Sequence, residues 1–325
     1  MISAGIIGGA GYTAGELIRI LINHPAVDID FVFSTSNAGN KIADVHQDLL
    51  GQTEKSFTDT INPDVDVVFL CLGHGNSTTF LTNNTFSSTT KIIDMSNDFR
   101  LENDAILDGR EFVYGLPELQ KEKIENAMNI ANPGCFATAI QLGILPLAKN
   151  DLLNSTIHIN ATTGATGAGV SPSATTHFNW RDNNFSIYKA FTHQHLAEIS
   201  ESIKTLQINF DEDLLFIPNR GNFSRGIFAS IYTDFDRSLE EAYAIFEKFY
   251  KDAAFTHLSK TPLHLKQVVN TNNCFIHLQK HNNKLLITSV IDNLLKGASG
   301  QAVQNMNLIF GLEENLGLQL KANFF

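Results

Sequence analysis

The run Gly8-Gly9-Ala10-Gly11-Tyr12-Thr13-Ala14 constrains this chain more than any other stretch. It follows a short apolar segment, residues 3–8. It opens a segment with helical spacing, residues 13–23, in which Leu17, Ile20 and Leu21 recur. Glycine at 8 and 11 lets the turn tighten and the backbone approach a pyrophosphate, while the first N–H groups of the helix face the anion. A strand–helix turn that is merely rich in glycine has the same composition. The order strand, glycines, helix favours a nucleotide site lined by Gly8, Gly11, Tyr12, Thr13 and Ala14.

The next 100 residues keep the alternation. Residues 29–33 and 91–94 read as strands, and 66–72 is a continuous apolar run of the kind buried on both faces. Such a series implies a parallel sheet with helices on both sides. From about 150 to 290 the pattern changes to strands at 157–162, 214–217, 227–233, 275–279 and 285–291, with helices at 194–206 and 238–253. Residues 82–90 and 270–284 are polar, Asn-rich turns. The last helical spacing, 300–310, is expected to pack back on the first domain. The 325 residues fit two domains.

Composition closes several doors. The net charge of −11 repels a phosphate backbone, so nucleic acid is an unlikely general partner, though basic groups converging locally can hold a phosphorylated metabolite. Three cysteines, Cys71, Cys135 and Cys274, show no CxxC or zinc spacing, which argues against a disulfide framework or a metal. No apolar run is long enough for a membrane span, and the first residues lack a signal-peptide pattern. The expectation is a cytoplasmic protein.

Five stretches carry chemistry. An acid that binds the ribose 2′-OH normally ends the second strand, but residues 33–37 read Phe-Ser-Thr-Ser-Asn, and Asp28 and Asp30 lie at the other end. Ser36 and Lys41 suit a 2′-phosphate, so NADP(H) is expected over NAD. In residues 132–138, Asn-Pro-Gly-Cys-Phe-Ala-Thr, Cys135 opens an apolar helix, where the dipole favours a thiolate nucleophile over a small buried hydrophobe. Cys71 and Cys274 read as core. The loop 162–169, with Gly164 and Gly167, either approaches a ligand or is a plain flexible loop. His193 and His195 would share a face in extended chain, with Glu198 three residues on. A general acid/base oriented by a carboxylate and a pair of structural histidines both fit, and a metal pair lacks a third ligand. Arg100, Lys189, Arg220 and Arg225 are basic groups that an anionic substrate requires, though any one alone reads as surface charge.

Eight motifs in order, GGAGYTAGEL (8–17), LGHGNS (72–77), DMSNDFRL (94–101), VYGLPEL (113–119), NPGCFAT (132–138), TGATGAG (163–169), HQHLAEI (193–199) and IDNLLKGASGQAVQNMNLIFG (291–311), span almost the whole chain. The chain resembles the N-acetyl-γ-glutamyl-phosphate reductase family. The resemblance implies an α/β fold shared with semialdehyde and glyceraldehyde-phosphate dehydrogenases. A Rossmann-type parallel-sheet domain (1–134 and about 300–325) would bind NADP(H). An inserted mixed α+β domain (135–299) would supply catalysis and the contacts of a homodimer or homotetramer. It further implies NADPH-dependent reduction of an acyl phosphate to a semialdehyde in arginine biosynthesis, with phosphate released. Cys135 would be the nucleophile, His195 rather than His193 the acid/base, and Glu198 an orienting group. Asn293 would lie near the nicotinamide, and Arg100, Asn132, Lys189 and Arg225 at the substrate. Ala14 stands for the usual third glycine, Gln194 for an arginine and Ala197 for a proline, and no histidine follows Pro218. These departures bear on the acyl group: acetyl is the family default and succinyl an alternative. Aminoadipyl or aspartyl phosphates, and a non-catalytic dinucleotide sensor, are the remaining readings.

Overall fold

Apolar runs set the first sheet. In the computed structural model, which describes residues 1–325, β1 (Ile2–Ile7) passes through the glycine turn into α1 (Tyr12–Ile22), and β2 (Val27–Phe33) follows. The chain continues through α2 (Ile42–Val45), β3 (Val67–Leu70), α3 (Asn76–Asn83), β4 (Lys91–Asp94), β5 (Ile106–Leu107), β6 (Arg110–Tyr114), α4 (Pro117–Glu125) and β7 (Asn129–Ala131). The strands lie in the order β2-β1-β3-β4-β7-β6-β5 and are parallel except for the β5–β6 pair. Every residue of β3 is buried, as its unbroken apolar run requires. In the edge strand β2, Asp28 and Asp30 alternate outward between Val27, Ile29 and Phe31, so only one face needs apolar cover. Phe99 stacks on Phe112 at 4.1 Å inside this core.

The second unit begins with α5 (Cys135–Ala148), in which every residue from Phe136 to Ala148 is buried. A helix that is apolar all round must be enclosed. α5 is enclosed between a sheet and two helices, residues 195–206 and 239–249. The other elements are β8 (Ile157–Thr163), α6 (Phe178–Arg181), β9 (Ser186–Ile187), α7 (His195–Leu206), β10 (Leu214–Arg220), β11 (Ile227–Asp234), α8 (Leu239–Phe249), β12 (Thr256–Ser259), β13 (Cys274–His281) and β14 (Lys284–Ile291). Their sheet runs β12-β13-β14-β11-β8-β10-β9, with parallel and antiparallel pairs mixed. The last helix, α9 (Ser299–Ile309), belongs to the first unit and packs on α1 and α4. No helix is long and apolar enough to cross a membrane.

The backbone divides into Met1–Gly134 with Ala298–Gln319, and Cys135–Gly297 with Leu320–Phe325. The final six residues, expected with the first domain, therefore lie with the second. Asn270 Nδ2 donates to the Lys321 carbonyl at 3.1 Å and the Asn323 amide to the Val269 carbonyl, which holds the tail there. Within the polar stretch 82–90, Thr82 and Asn83 complete α3 by donating to the carbonyls of Thr78 and Thr79. In the stretch 270–284, residues 274–281 form β13 and leave the Asn282-Asn283 turn, with Asn282 at φ 49°.

The two turn glycines differ in what they require. Gly8 sits at φ +80°, and a Cβ there would lie 2.6 Å from the Cys71 carbonyl oxygen. Gly11 has an ordinary φ of −81° and nothing closer than 3.9 Å to such a Cβ. Gly8→Ala is expected to lower unfolding free energy by roughly 1–3 kcal/mol, and Gly11→Ala by less than about 1 kcal/mol. Urea denaturation of the two variants measures the gap, and equal losses would contradict it.

Candidate active site

The enclosure of α5 fixes its first residue. Cys135 is partly exposed at the helix N-terminus, where the backbone dipole favours a thiolate. The loop after β14 packs tightly behind it: a Cβ on Gly297 would lie 2.8 Å from Cys135 Cβ and 2.6 Å from the Asn293 carbonyl oxygen. Only glycine fits, a requirement invisible in the sequence because 162 positions of chain separate the two residues.

His193 and His195 come together beside α5. Their ring centroids are 4.6 Å apart, both are buried, and the Phe136 edge meets them at 5.5 and 6.3 Å. Extended-chain alternation is not the cause, because Gln194 is helical (φ −57°, ψ −26°). His195 starts α7, and its amide donates to His193 Nδ1 at 3.2 Å. A neutral His193 therefore carries its proton on Nε2. Glu198 is buried with Oε1 3.8 Å from His195 Nε2, which places a carboxylate to orient that imidazole.

Tyr188, which no motif singled out, completes this wall. Its ring lies 5.8 Å from His193, and the Arg220 guanidinium sits 4.5 Å over it. Burial first, and then the neighbouring Cys135 charge, push the Tyr188 hydroxyl well above its ordinary value, so it stays protonated.

Several expected contacts turn out to be structural brackets. Arg225 is directed at the fully buried Asp292, with Nε and Nη2 at 3.1 and 3.0 Å. Asp292 also receives the amides of Asn270, Leu294 and Leu295, so this pair braces the loop behind Cys135. Asn293 accepts from the Gly226 amide at 2.7 Å and donates to Thr166 Oγ1 at 3.1 Å, so its amide ties two loops together. A Cβ on Gly164 would lie 2.4 Å from the Ser224 carbonyl, which makes chain packing the reason for that glycine. A Cβ on Gly167 would meet Thr163 Oγ1 at 3.2 Å. Lys189, at φ +46°, donates to Gln194 Oε1 at 3.0 Å.

In the first unit, Gly8 and Gly9 both donate to the Phe33 carbonyl, which closes the turn over the sheet edge. Gly9 packs on Val32, and Gly15 on His46, whose Nε2 lies 2.7 Å from the Gly9 carbonyl. Close packing thus falls on Gly9 and Gly15, while Ala14 is fully buried. Gly11 caps α1 without a side-chain hydrogen bond, Tyr12 is exposed, and the Thr13 carbonyl accepts from Ser299. Open N–H groups at a helix start beside a positive-φ glycine fit a dinucleotide pyrophosphate. Beyond β2, Asn37 Nδ2 donates to Ser34 and Ser36 at 3.2 and 3.0 Å, with no carboxylate among them. Lys41 is ion-paired with Glu54 at 2.7 Å, both exposed. That hydrogen bond raises the lysine and lowers the glutamate from their ordinary values.

Arg100 is buried, donating from Nε to the Asn132 carbonyl at 2.9 Å and from Nη2 to Met95. Asn132 donates to the Ala298 carbonyl and accepts from Asn305, so it too serves as a bracket. Asp94 accepts from Ser77 and Ser96 at 2.5 and 2.7 Å. Asp98 holds the start of α3 through the amides of Gly75 and Thr78.

Residues 3–127 match the NAD-binding domain of semialdehyde dehydrogenases, and residues 135–293 match their dimerisation domain. Over the full length of both chains, this one is 66% identical to the N-acetyl-gamma-glutamyl-phosphate reductase of Christiangramia forsetii. It is 63% identical to that of Flavobacterium johnsoniae and 56% to that of Bacteroides thetaiotaomicron, again over full length. The chain belongs to the N-acetyl-gamma-glutamyl-phosphate reductase family. The resemblance carried by the eight motifs is thereby borne out, with the α/β fold class and the oxidoreductase class it implied. Aspartate semialdehyde dehydrogenase II of Vibrio cholerae shares the fold, with a TM-score of 0.73 at 14% identity over 96% of this chain and 98% of that one. The Candida albicans enzyme solved with NADP gives 0.68 at 12% identity, over 96% and 99%. The dimerisation-domain match supports self-association.

Burial pushes the Asp94 carboxyl up to about 6, against the opposing pull of Ser77, Ser96 and the Arg100 charge. Between about pH 4 and 6 the folded chain holds a proton there that the unfolded chain releases, so this contribution to stability falls as pH rises through the window. The change is on the order of 3 kcal/mol at most. Asp94→Asn should remove it: the stability difference between the parent and this variant, followed by urea denaturation, should shift across pH 4–6. A difference independent of pH would contradict the assignment.

Proposed function

We propose that the chain reduces an N-acyl-γ-glutamyl phosphate, N-acetyl being the family default, to the corresponding semialdehyde with NADPH and releases phosphate. The observation that carries this reading is the placement of Cys135 at the start of an enclosed helix. Gly297 backs it, and the His193–His195 pair stands beside the same helix. The sequence identity to reductases of this activity, over the full length, supports the substrate.

Cys135 attacks the acyl phosphate carbon as thiolate, a C–S bond forms, and the C–O bond to phosphate breaks. The chemistry that the dinucleotide supplies when bound is a hydride. His195, oriented by Glu198, protonates the oxygen as the thioester becomes a thiohemiacetal. It then takes the hydroxyl proton back as the C–S bond breaks and the semialdehyde leaves. His193, held through its Nδ1, lines the pocket and touches substrate. The protonated Tyr188 keeps a second anion from forming beside the thiolate. Arg100 and Lys189 are offered to substrate oxyanions, while Asn132 and Arg225 act through the brackets they form.

Gly8, Gly11, Tyr12, Thr13 and Ala14 would hold the pyrophosphate. Ser36, with Ser34 and Asn37, would meet the 2′-phosphate of NADP(H), because hydroxyl and amide donors suit a phosphate and no carboxylate repels it there. Lys41 adds charge only as far as Glu54 releases it. Gly164, Gly167 and Asn293 shape the loops behind Cys135. The second unit exposes Phe178, Trp180, Phe185, Ile187 and Phe191, which supports burial of that face in a homodimer or homotetramer. Reduced cysteines favour the cytoplasm.

The reverse reaction tests the proposal, because the acyl phosphate is labile. N-acetyl-glutamate semialdehyde, phosphate and NADP should yield sustained NADPH formation, beyond a single turnover, only when all three are present. Cys135→Ser should lower the rate by roughly a thousandfold or more while NADP still binds, as seen by fluorescence titration. Turnover by that variant near the parent rate would overturn the covalent route.

A further inference from the structure

A buried arginine stands apart from the groups placed at Cys135. Arg181 closes the short helix α6, and its side chain is 7% exposed. Nη2 donates to the carbonyls of Asn184 and Arg220 at 3.2 and 3.4 Å. Nε and Nη1 are buried and have no acceptor. A guanidinium cannot shed its charge, and desolvated donors without acceptors cost free energy. The adjoining acid, Asp182, is exposed and accepts from Asn183 instead.

Arg220, whose backbone carbonyl accepts from Arg181, carries a second positive charge. It lies on the strand whose end pairs with β9, opposite Ser186, and donates to Thr175 Oγ1 at 3.2 Å. Its guanidinium covers Tyr188, which faces His193 and feels the charge of Cys135. Neither arginine is ion-paired with a carboxylate, unlike Arg225 with Asp292. The segment that carries Arg181 and Tyr188 holds three residues at positive φ that are not glycine: Asn183, Lys189 and Phe191, at 51°, 46° and 60°. Asparagine adopts this region readily, whereas Lys189 and Phe191 are held there by their surroundings, as residues of ligand-binding segments often are.

We propose that Arg181 and Arg220 form a carboxylate subsite beside the Cys135–His193 wall, filled by the substrate, with residues 178–191 settling around it. This rests on the reading of the chain as an N-acyl-γ-glutamyl-phosphate reductase and names residues that select its substrate. Such a substrate offers two carboxylates of the same chemistry: the α-carboxylate of the glutamyl unit, and a terminal one if the acyl group carries it, as succinyl does. A methyl-ended acetyl offers only the first.

Two readouts separate the cases: KM in the reverse reaction with the N-acetyl and N-succinyl semialdehydes, and thermal stabilisation by the unreactive N-acetyl- and N-succinyl-glutamates. Arg181→Met should raise KM roughly tenfold or more and abolish the stabilisation. Loss with both acyl groups assigns the α-carboxylate, and loss confined to the succinyl compounds assigns the acyl terminus. Without ligand, Arg181→Met should unfold no earlier than the parent, because it removes an uncompensated charge. Arg181→Lys, which keeps the charge but not the planar fork, serves if the methionine variant fails to fold, and should recover only part of the affinity. Unchanged KM and unchanged stabilisation would overturn the subsite. If the parent turns over neither semialdehyde but is stabilised by an N-acyl-glutamate through Arg181, the subsite stands and the reaction falls. If the parent shows neither turnover nor stabilisation, both fall.

Discussion

The enclosure of α5 is the constraint on which the rest of the second unit depends. Thirteen consecutive buried residues, Phe136 to Ala148, leave that helix no freedom to slide or rotate without exposing apolar surface. Its first residue is therefore held in place by hydrophobic packing that extends well beyond the site. Cys135 inherits that rigidity. Phe136 transmits it to His193 and His195, whose rings it meets edge-on. In the proposed reaction a nucleophile and its proton carrier keep their distance fixed through several steps, and packing against one shared aromatic side chain is a direct way to achieve it.

Charge organises the loops that packing cannot. Asp292 is wholly buried, and Arg225 together with three backbone amides compensates it. The result is a stiff loop that brings Gly297 against Cys135. Asp94 plays the same part in the first unit, gathering Ser77 and Ser96 so that the turn leading to Arg100 is fixed. In both places a buried carboxylate fixes the loop that follows it through internal hydrogen bonds. Motif residues near such a site divide into those that touch ligand and those that hold the frame, and spacing alone does not separate them.

That division marks what the sequence could and could not reveal. β1, β3, the glycine turn and Cys135 were legible because their signals are local: an apolar run, a turn glycine, a Pro-Gly-Cys step into an apolar helix. The histidine pair was legible as a pair, yet its geometry arises from a helix start rather than from strand alternation. The ties that Arg225 and Asn132 make to the frame were not legible, because their partners lie 67 and 166 residues away. Gly297, Tyr188 and Arg181 gave no local signal at all, since each matters only through a neighbour that folding brings to it. The short strands β5, β7 and β9 escaped for a related reason: two or three residues cannot show a period, and pairing alone defines them.

The proposed function turns on one covalent step at one sulfur. Mixing the protein with N-acetyl-glutamate semialdehyde and NADP, without phosphate, and quenching for intact-mass and peptide mass spectrometry tests that step directly. A burst of about one NADPH per active site and an acyl adduct located on Cys135 are expected. Adding phosphate should discharge the adduct. Steady NADPH formation without an adduct, or an adduct on another residue, would contradict it.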